Sequence, residues 1–182
     1  MEFRKRDFRR ESVMIKKLTS MVLLLILICA VCLQCSSEKK EAQQHSGVMT
    51  GWVSKNELFS AFPAYKQSAA DYQPDQDIIS QIDALDKDAH ALIILGTWCS
   101  DSRREVPRFL KIIDALQQTN LTYRMFAVDR ASADTTGMRE EYDVEYVPTF
   151  IIYENDQEID RIIERPMMNL EIDLLEIMQT EP

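Results

Sequence analysis

The chain has 182 residues, 46% of them hydrophobic, and 21 Lys and Arg against 30 Asp and Glu give it a formal net charge of −9. Seven of the basic and three of the acidic residues lie in positions 1–35, which leaves 14 against 27 in the remainder, a charge of −13. That length supports one domain with a real core behind a leader, no repeat of solenoid period is present, and an acidic body argues against nucleic acid or an anionic lipid face as its partner.

Residues 1–13 are charged and lack the layout of a targeting signal, whereas Met14-Ile15-Lys16-Lys17 opens a compact basic segment followed by an apolar run over 21–31. Translation is therefore expected to start at Met14. The run is shorter than the ~18 apolar residues a spanning helix needs, which favours a processed signal over a membrane helix. Cys29, Cys32 and Cys35 fall in or just after it, and no histidine or second cysteine pair lies within reach to make them a metal site. The segment resembles a bacterial lipoprotein signal, in which a cysteine ending a short apolar motif is lipidated and becomes the first mature residue. Cys35 is the candidate lipidation site, with Leu33 upstream and Ser36-Ser37 downstream. Gln34 stands where such motifs favour a small residue, which keeps Cys32 and ordinary cleavage open. Residues 36–46 are too polar to fold and read as a flexible spacer. The leader thus spans 1–35, and the expected location is the bacterial cell envelope, outside the cytoplasm on the periplasmic face, with membrane contact through the lipid.

Residues 47–76 read as an N-terminal helical extension. A short edge strand is expected over 47–53, and Ser54 is placed to cap a helix through Leu58, Phe59 and Phe62, with Pro63 ending it or opening another. Over 77–182 the pattern becomes that of an α/β domain. Ile78, Ile79, Ile82 and Leu85 form one helical face, a turn over 86–90 includes His90, and the apolar run 91–95 reads as a strand buried on both faces. After Gly96 the period changes. Val106, Phe109, Leu110, Ile113 and Leu116 mark a helix beginning near Ser100, so Cys99 stands at a helix N-terminus. Unpaired N–H groups and the macrodipole favour an anion there, and Arg103 and Arg104 one turn on should add to that, with Asp101 opposing. A strand over 121–129, a short helix over 133–143, strands over 147–153 and 158–163 flanking a turn at 154–156, and a helix over 169–178 complete the chain.

Trp98-Cys99-Ser100-Asp101-Ser102, Pro107 eight residues after the cysteine, and the later Val147-Pro148-Thr149-Phe150 together resemble the thioredoxin-like superfamily. That resemblance implies a thioredoxin-like fold, a central mixed sheet flanked by helices. It also implies a cis peptide at Val147-Pro148 facing Cys99, and a substrate surface formed by Trp98, Val147, Pro148 and Thr149. Two departures bear on chemistry. Ser102 replaces the second cysteine of the family motif, so a mixed disulfide on Cys99 would wait for an external thiol, although the Ser102 hydroxyl could donate to the Cys99 thiolate. Ile93 stands where the family often has a buried aspartate, and Met125 where its lysine would be. The expected function is monothiol thiol–disulfide exchange with Cys99 and Ser102 as catalytic residues, protein or low-molecular-weight thiols and disulfides as partners, and no cofactor, metal or nucleic acid. The alternative is a non-catalytic binding module on the cell envelope that keeps the fold.

Overall fold

The computed structural model describes residues 47–130 and 136–180. The leader with Cys32 and Cys35, and the spacer up to residue 46, lie outside the described residues. No helix among the described residues is long and apolar enough to cross a membrane.

The chain runs β1 (Gly51–Val53), α1 (Lys55–Ala61), α2 (Pro63–Asp71), α3 (Gln76–Asp83), β2 (Asp88–Leu95), α4 (Ser100–Ala115), β3 (Asn120–Ala127), α5 (Met138–Glu141), β4 (Thr149–Glu154), β5 (Gln157–Ile163) and α6 (Leu170–Gln179). The five strands form one mixed sheet in the order β1-β3-β2-β4-β5, with β2 parallel to β3 and the remaining pairs antiparallel. This is the expected thioredoxin-like architecture.

Local chemistry sets the boundaries. Ser54 caps α1 in a reciprocal box: its Oγ accepts from the Glu57 N–H and Glu57 Oε2 accepts from the Ser54 N–H at 2.9 Å. Pro63 sits at the first helical position of α2, where its missing N–H costs nothing, and so opens a second helix. Asp75 and Asn169 cap α3 and α6 by accepting backbone N–H groups.

Strand β2 alternates between two cores. Ala91, Ile93 and Leu95 face a large cluster with Phe109, Leu110, Phe150, Leu174 and Met178, whereas Leu92 and Ile94 face a smaller one with Phe126, Val128, Val144, Val147 and Ile151. Phe109 and Phe150 pack with ring centroids 4.6 Å apart, joining α4 to β4 through the larger core. The central strand is buried on both faces, as its continuous apolar run requires.

Several expected boundaries move. β2 starts three residues earlier than its apolar run, so His90 is a strand residue, not a turn residue, with its ring stacked 4.7 Å from that of Tyr153 in the neighbouring β4. The sequence hides this because a strand end can carry polar residues once a cross-strand partner covers them. The described part of the helix expected over 133–143 is one turn, Met138–Glu141, and β4 begins at Thr149 because Val147 and Pro148 form the turn that leads into it.

Candidate active site

Between Leu95 and Ser100 four residues convert a strand into a helix. An added Cβ on Gly96 would stand 2.7 Å from Cε2 of Trp98, so the indole lies on the glycine and only glycine fits beneath it. The indole N–H donates to the Val128 carbonyl at 3.1 Å, and the Arg130 guanidinium lies 5.2 Å from the ring centre. Gly96 is also the hub of the turn. Its N–H donates to Ser102 Oγ at 3.1 Å, and its carbonyl accepts from the Cys99 N–H at 2.9 Å and the Tyr65 hydroxyl at 3.5 Å. Thr97 Oγ1 accepts from the Met49 N–H at 3.1 Å. Residues before α3 therefore brace this turn from two directions.

Cys99 takes the N-cap position of α4 with an extended backbone, and its carbonyl accepts the first helical bond from the Arg103 N–H at 3.1 Å. It is the free cysteine of the described residues and is half-buried. Its S–H donates to the Val147 carbonyl at 3.1 Å, and Val147-Pro148 is cis. Trp98, Cys99, Val147 and Pro148, far apart in sequence, thus meet at one end of the sheet.

Three expected roles are revised by this geometry. Ser102 is fully buried and its hydroxyl is engaged by the Gly96 N–H, so it ties strand end to helix start and makes no hydrogen bond to Cys99. Thr149 is also buried, with its hydroxyl donated to the Tyr146 carbonyl at 2.7 Å, so it shapes the cis-proline turn from below and offers no side chain to a substrate. Arg104 is bonded to Asp101 Oδ1 at 2.7 Å and to Glu105, which commits its charge within the helix and leaves the exposed Arg103 as the uncommitted cation of the first turn.

The structure also brings in residues the motif does not contain. Burial would raise the Asp101 carboxyl, but hydrogen bonds from Arg165 and Arg104 outweigh it and hold the acid below the ordinary carboxylate range. The Arg165 Nε to Asp101 bond, 3.1 Å, latches the loop after β5 onto α4, and the Glu164 N–H donates to the Pro148 carbonyl at 2.7 Å. That loop carries Met167 at 95% exposure and Met168 at 73%, and Tyr146 is half-exposed before the cis-proline. Tyr65 lies under the turn. Burial first of all pushes its phenol well above the ordinary tyrosine range, with Arg103 lowering it and Cys99 adding to the rise, so it stays a proton donor to Gly96. The i, i+3 spacing of Asp101 and Arg104 was a visible helical signal, whereas Tyr65 and Arg165 reach the site only through the fold.

Ile93 and Met125, which replace the family's buried acid and lysine, are register partners on β2 and β3 and are both buried. Both belong to the larger core, so the pair is apolar where the family pattern has an acid and a lysine. Among the described residues no three His, Cys, Asp or Glu side chains converge as a metal site would.

A family model described as "Thioredoxin" matches residues 63–174, from the first residue of α2 into α6. A thioredoxin from Coprinus comatus is 30% identical over 91 residues, covering 47% of this chain and 82% of that protein. Among solved structures, a single-residue mutant of a thioredoxin from Halobacterium salinarum is 12% identical, covering 60% of this chain and 88% of that one with a TM-score of 0.37. Thioredoxin from Fasciola hepatica is 17% identical, covering 58% and 93% with a TM-score of 0.38. A family match over more than half the chain, on a sheet that carries Trp98-Cys99 against a cis-proline, leads to one conclusion: this chain belongs to the thioredoxin family.

Proposed function

We propose that this protein is a monothiol thiol–disulfide exchange protein held at the cell envelope. The observation that carries the reading is the position of Cys99 at the N-cap of α4, next to the cis Val147-Pro148 bond, in a domain whose sequence from 47 to 180 contains no second cysteine. Cys99 loses its proton to solvent, its thiolate attacks one sulfur of a substrate disulfide, a Cys99–substrate disulfide forms, and the other half leaves as a thiolate that takes up a proton. Ser102 is no thiol and is turned into the backbone, so release falls to an external thiol attacking the mixed disulfide. An extended chain lying along Tyr146, Val147 and Pro148, between Trp98 and the exposed Met167 and Met168, presents its disulfide to the sulfur. The substrates are protein or low-molecular-weight disulfides.

Cys35 lipidation would anchor this domain outside the cytoplasm through the spacer over 36–46. A Cys35→Ser variant should leave the membrane fraction of a bacterial host. Retention of that variant on membranes would overturn the anchor.

The test of exchange is intact-mass analysis after incubation with a small disulfide. One adduct on Cys99, stable until an added thiol removes it and absent from Cys99→Ala, supports the reading. A non-catalytic binding module is the competing reading, favoured by the engagement of the thiol proton with the Val147 carbonyl. It becomes the better account if the folded protein forms no adduct while the unfolded chain does.

A further inference from the structure

The folded body is strongly acidic, yet its arginines gather at Cys99. Residues 47–180 contain eight arginines, and four of them, Arg103, Arg104, Arg130 and Arg165, surround the end of the sheet where the sulfur sits. Arg104 and Arg165 share the Asp101 carboxylate, and Arg104 also meets Glu105. Arg103 is exposed and has no ion-pair partner among the described residues. Its N–H bonds to the Cys99 carbonyl, so it lies one turn along α4 from the cysteine, and helical side chains as a rule lean back toward the N-terminus. Arg130 lies over the indole of Trp98, the residue before the cysteine. Glu145 and Glu164 stand near Tyr146 on the cis-proline side.

Resting on the exchange reading above, we propose that Arg103 and Arg130 are specificity-determining residues that select disulfides carrying a carboxylate close to the sulfur Cys99 attacks. In the step, Cys99 thiolate and the anionic disulfide exchange one S–S bond for another. Cys99 rises to the disulfide oxidation level, one half of the substrate is reduced and leaves as a thiolate, and the half that stays bound keeps its carboxylate on the arginine side. The same two cations offer nothing to a neutral disulfide and repel an ammonium-bearing one.

The experiment measures single-turnover rate constants of the purified domain with 3,3′-dithiodipropionate, bis(2-hydroxyethyl) disulfide and cystamine, each divided by the rate of 2-mercaptoethanol with the same compound to remove intrinsic reactivity. At low salt the dianion should react about fivefold faster than the neutral compound and the dication slower than both, and the spread should fall below about twofold in ~0.5 M salt. Arg103→Gln with Arg130→Gln, both exposed positions, should erase the preference with an unchanged melting temperature. Equal normalised rates in the wild type, or a preference that survives the double variant, overturn charge selection while leaving exchange intact. If none of the three compounds forms an adduct with the folded protein, the exchange chemistry fails and this selection with it.

Discussion

The two faces of the sheet do different work. One is covered by α1, α2, α3, α4 and α6 over a continuous core that includes Tyr65, Phe109, Phe150 and Leu174, all fully buried. The other holds the smaller cluster of Leu92, Ile94, Phe126, Val128 and Ile151, and it is this cluster against which Trp98 and Cys99 pack. Stability belongs mainly to the first face and the placement of the thiol to the second. In the thioredoxin family a helix must project its cysteine past the strand end, and here the helix is fixed by the large core while the turn before it leans on the small one. Damage to one face should therefore unfold the protein, and damage to the other should disarm it.

The largest effect is expected from Phe109→Ala. Removing a fully buried ring at the junction of α4 and β4 should cost about 3–5 kcal/mol of stability, read by urea unfolding, with loss of activity following loss of fold. Gly96→Ala should separate the two faces. Its Cβ must displace the Trp98 indole from a 2.7 Å approach, at about 1–3 kcal/mol, and the rate of Cys99 with a small disulfide should fall further than stability alone explains. A Gly96→Ala variant with wild-type kinetics would show that the indole position does not govern the thiol.

Asp101→Asn should have the smallest effect and a distinct pH signature. The folded Asp101 acid is held below its ordinary value, so its contribution is present above the unfolded pKa of about 3.9 and is lost as pH falls through the folded value. Wild type should exceed the variant by about 1–2 kcal/mol near neutral pH, and the gap should close below about pH 4. A gap that stays constant from neutral to strongly acidic pH would mean that the Arg165–Asp101 latch adds nothing through its charge.

How much of this was legible beforehand follows the range of each interaction. Trp98, Cys99, Pro107 and Val147-Pro148 announce the fold because their chemistry is local and their spacing fixed, and the cis bond and its closeness to Cys99 followed from that resemblance. The period change at Gly96 placed the start of α4 at Ser100. The directions of the Ser102 and Thr149 hydroxyls were not legible, because each finds its backbone partner only once the turn around it has closed. His90 reads as a turn residue in the sequence because the residue that covers it, Tyr153, is distant along the chain. The bracing of the Gly96 turn by Tyr65 and Met49, and the latch from Arg165, are tertiary contacts with no periodic trace in the chain.

The most direct test of the monothiol mechanism compares thiol-driven insulin reduction by the wild-type domain with that of Ser102→Cys, after confirming that both fold. On the proposed mechanism Cys99 attacks in both, but only the variant domain has a second thiol, three residues beyond Cys99 at the buried position where Ser102 now meets Gly96. The wild type should accumulate the mixed disulfide and turn over at least about tenfold more slowly than the variant, while the apolar Ile93, which supplies no proton acceptor, keeps the variant from unlimited speed. Equal turnover by the two proteins, with no accumulated mixed disulfide on wild-type Cys99, would contradict the mechanism.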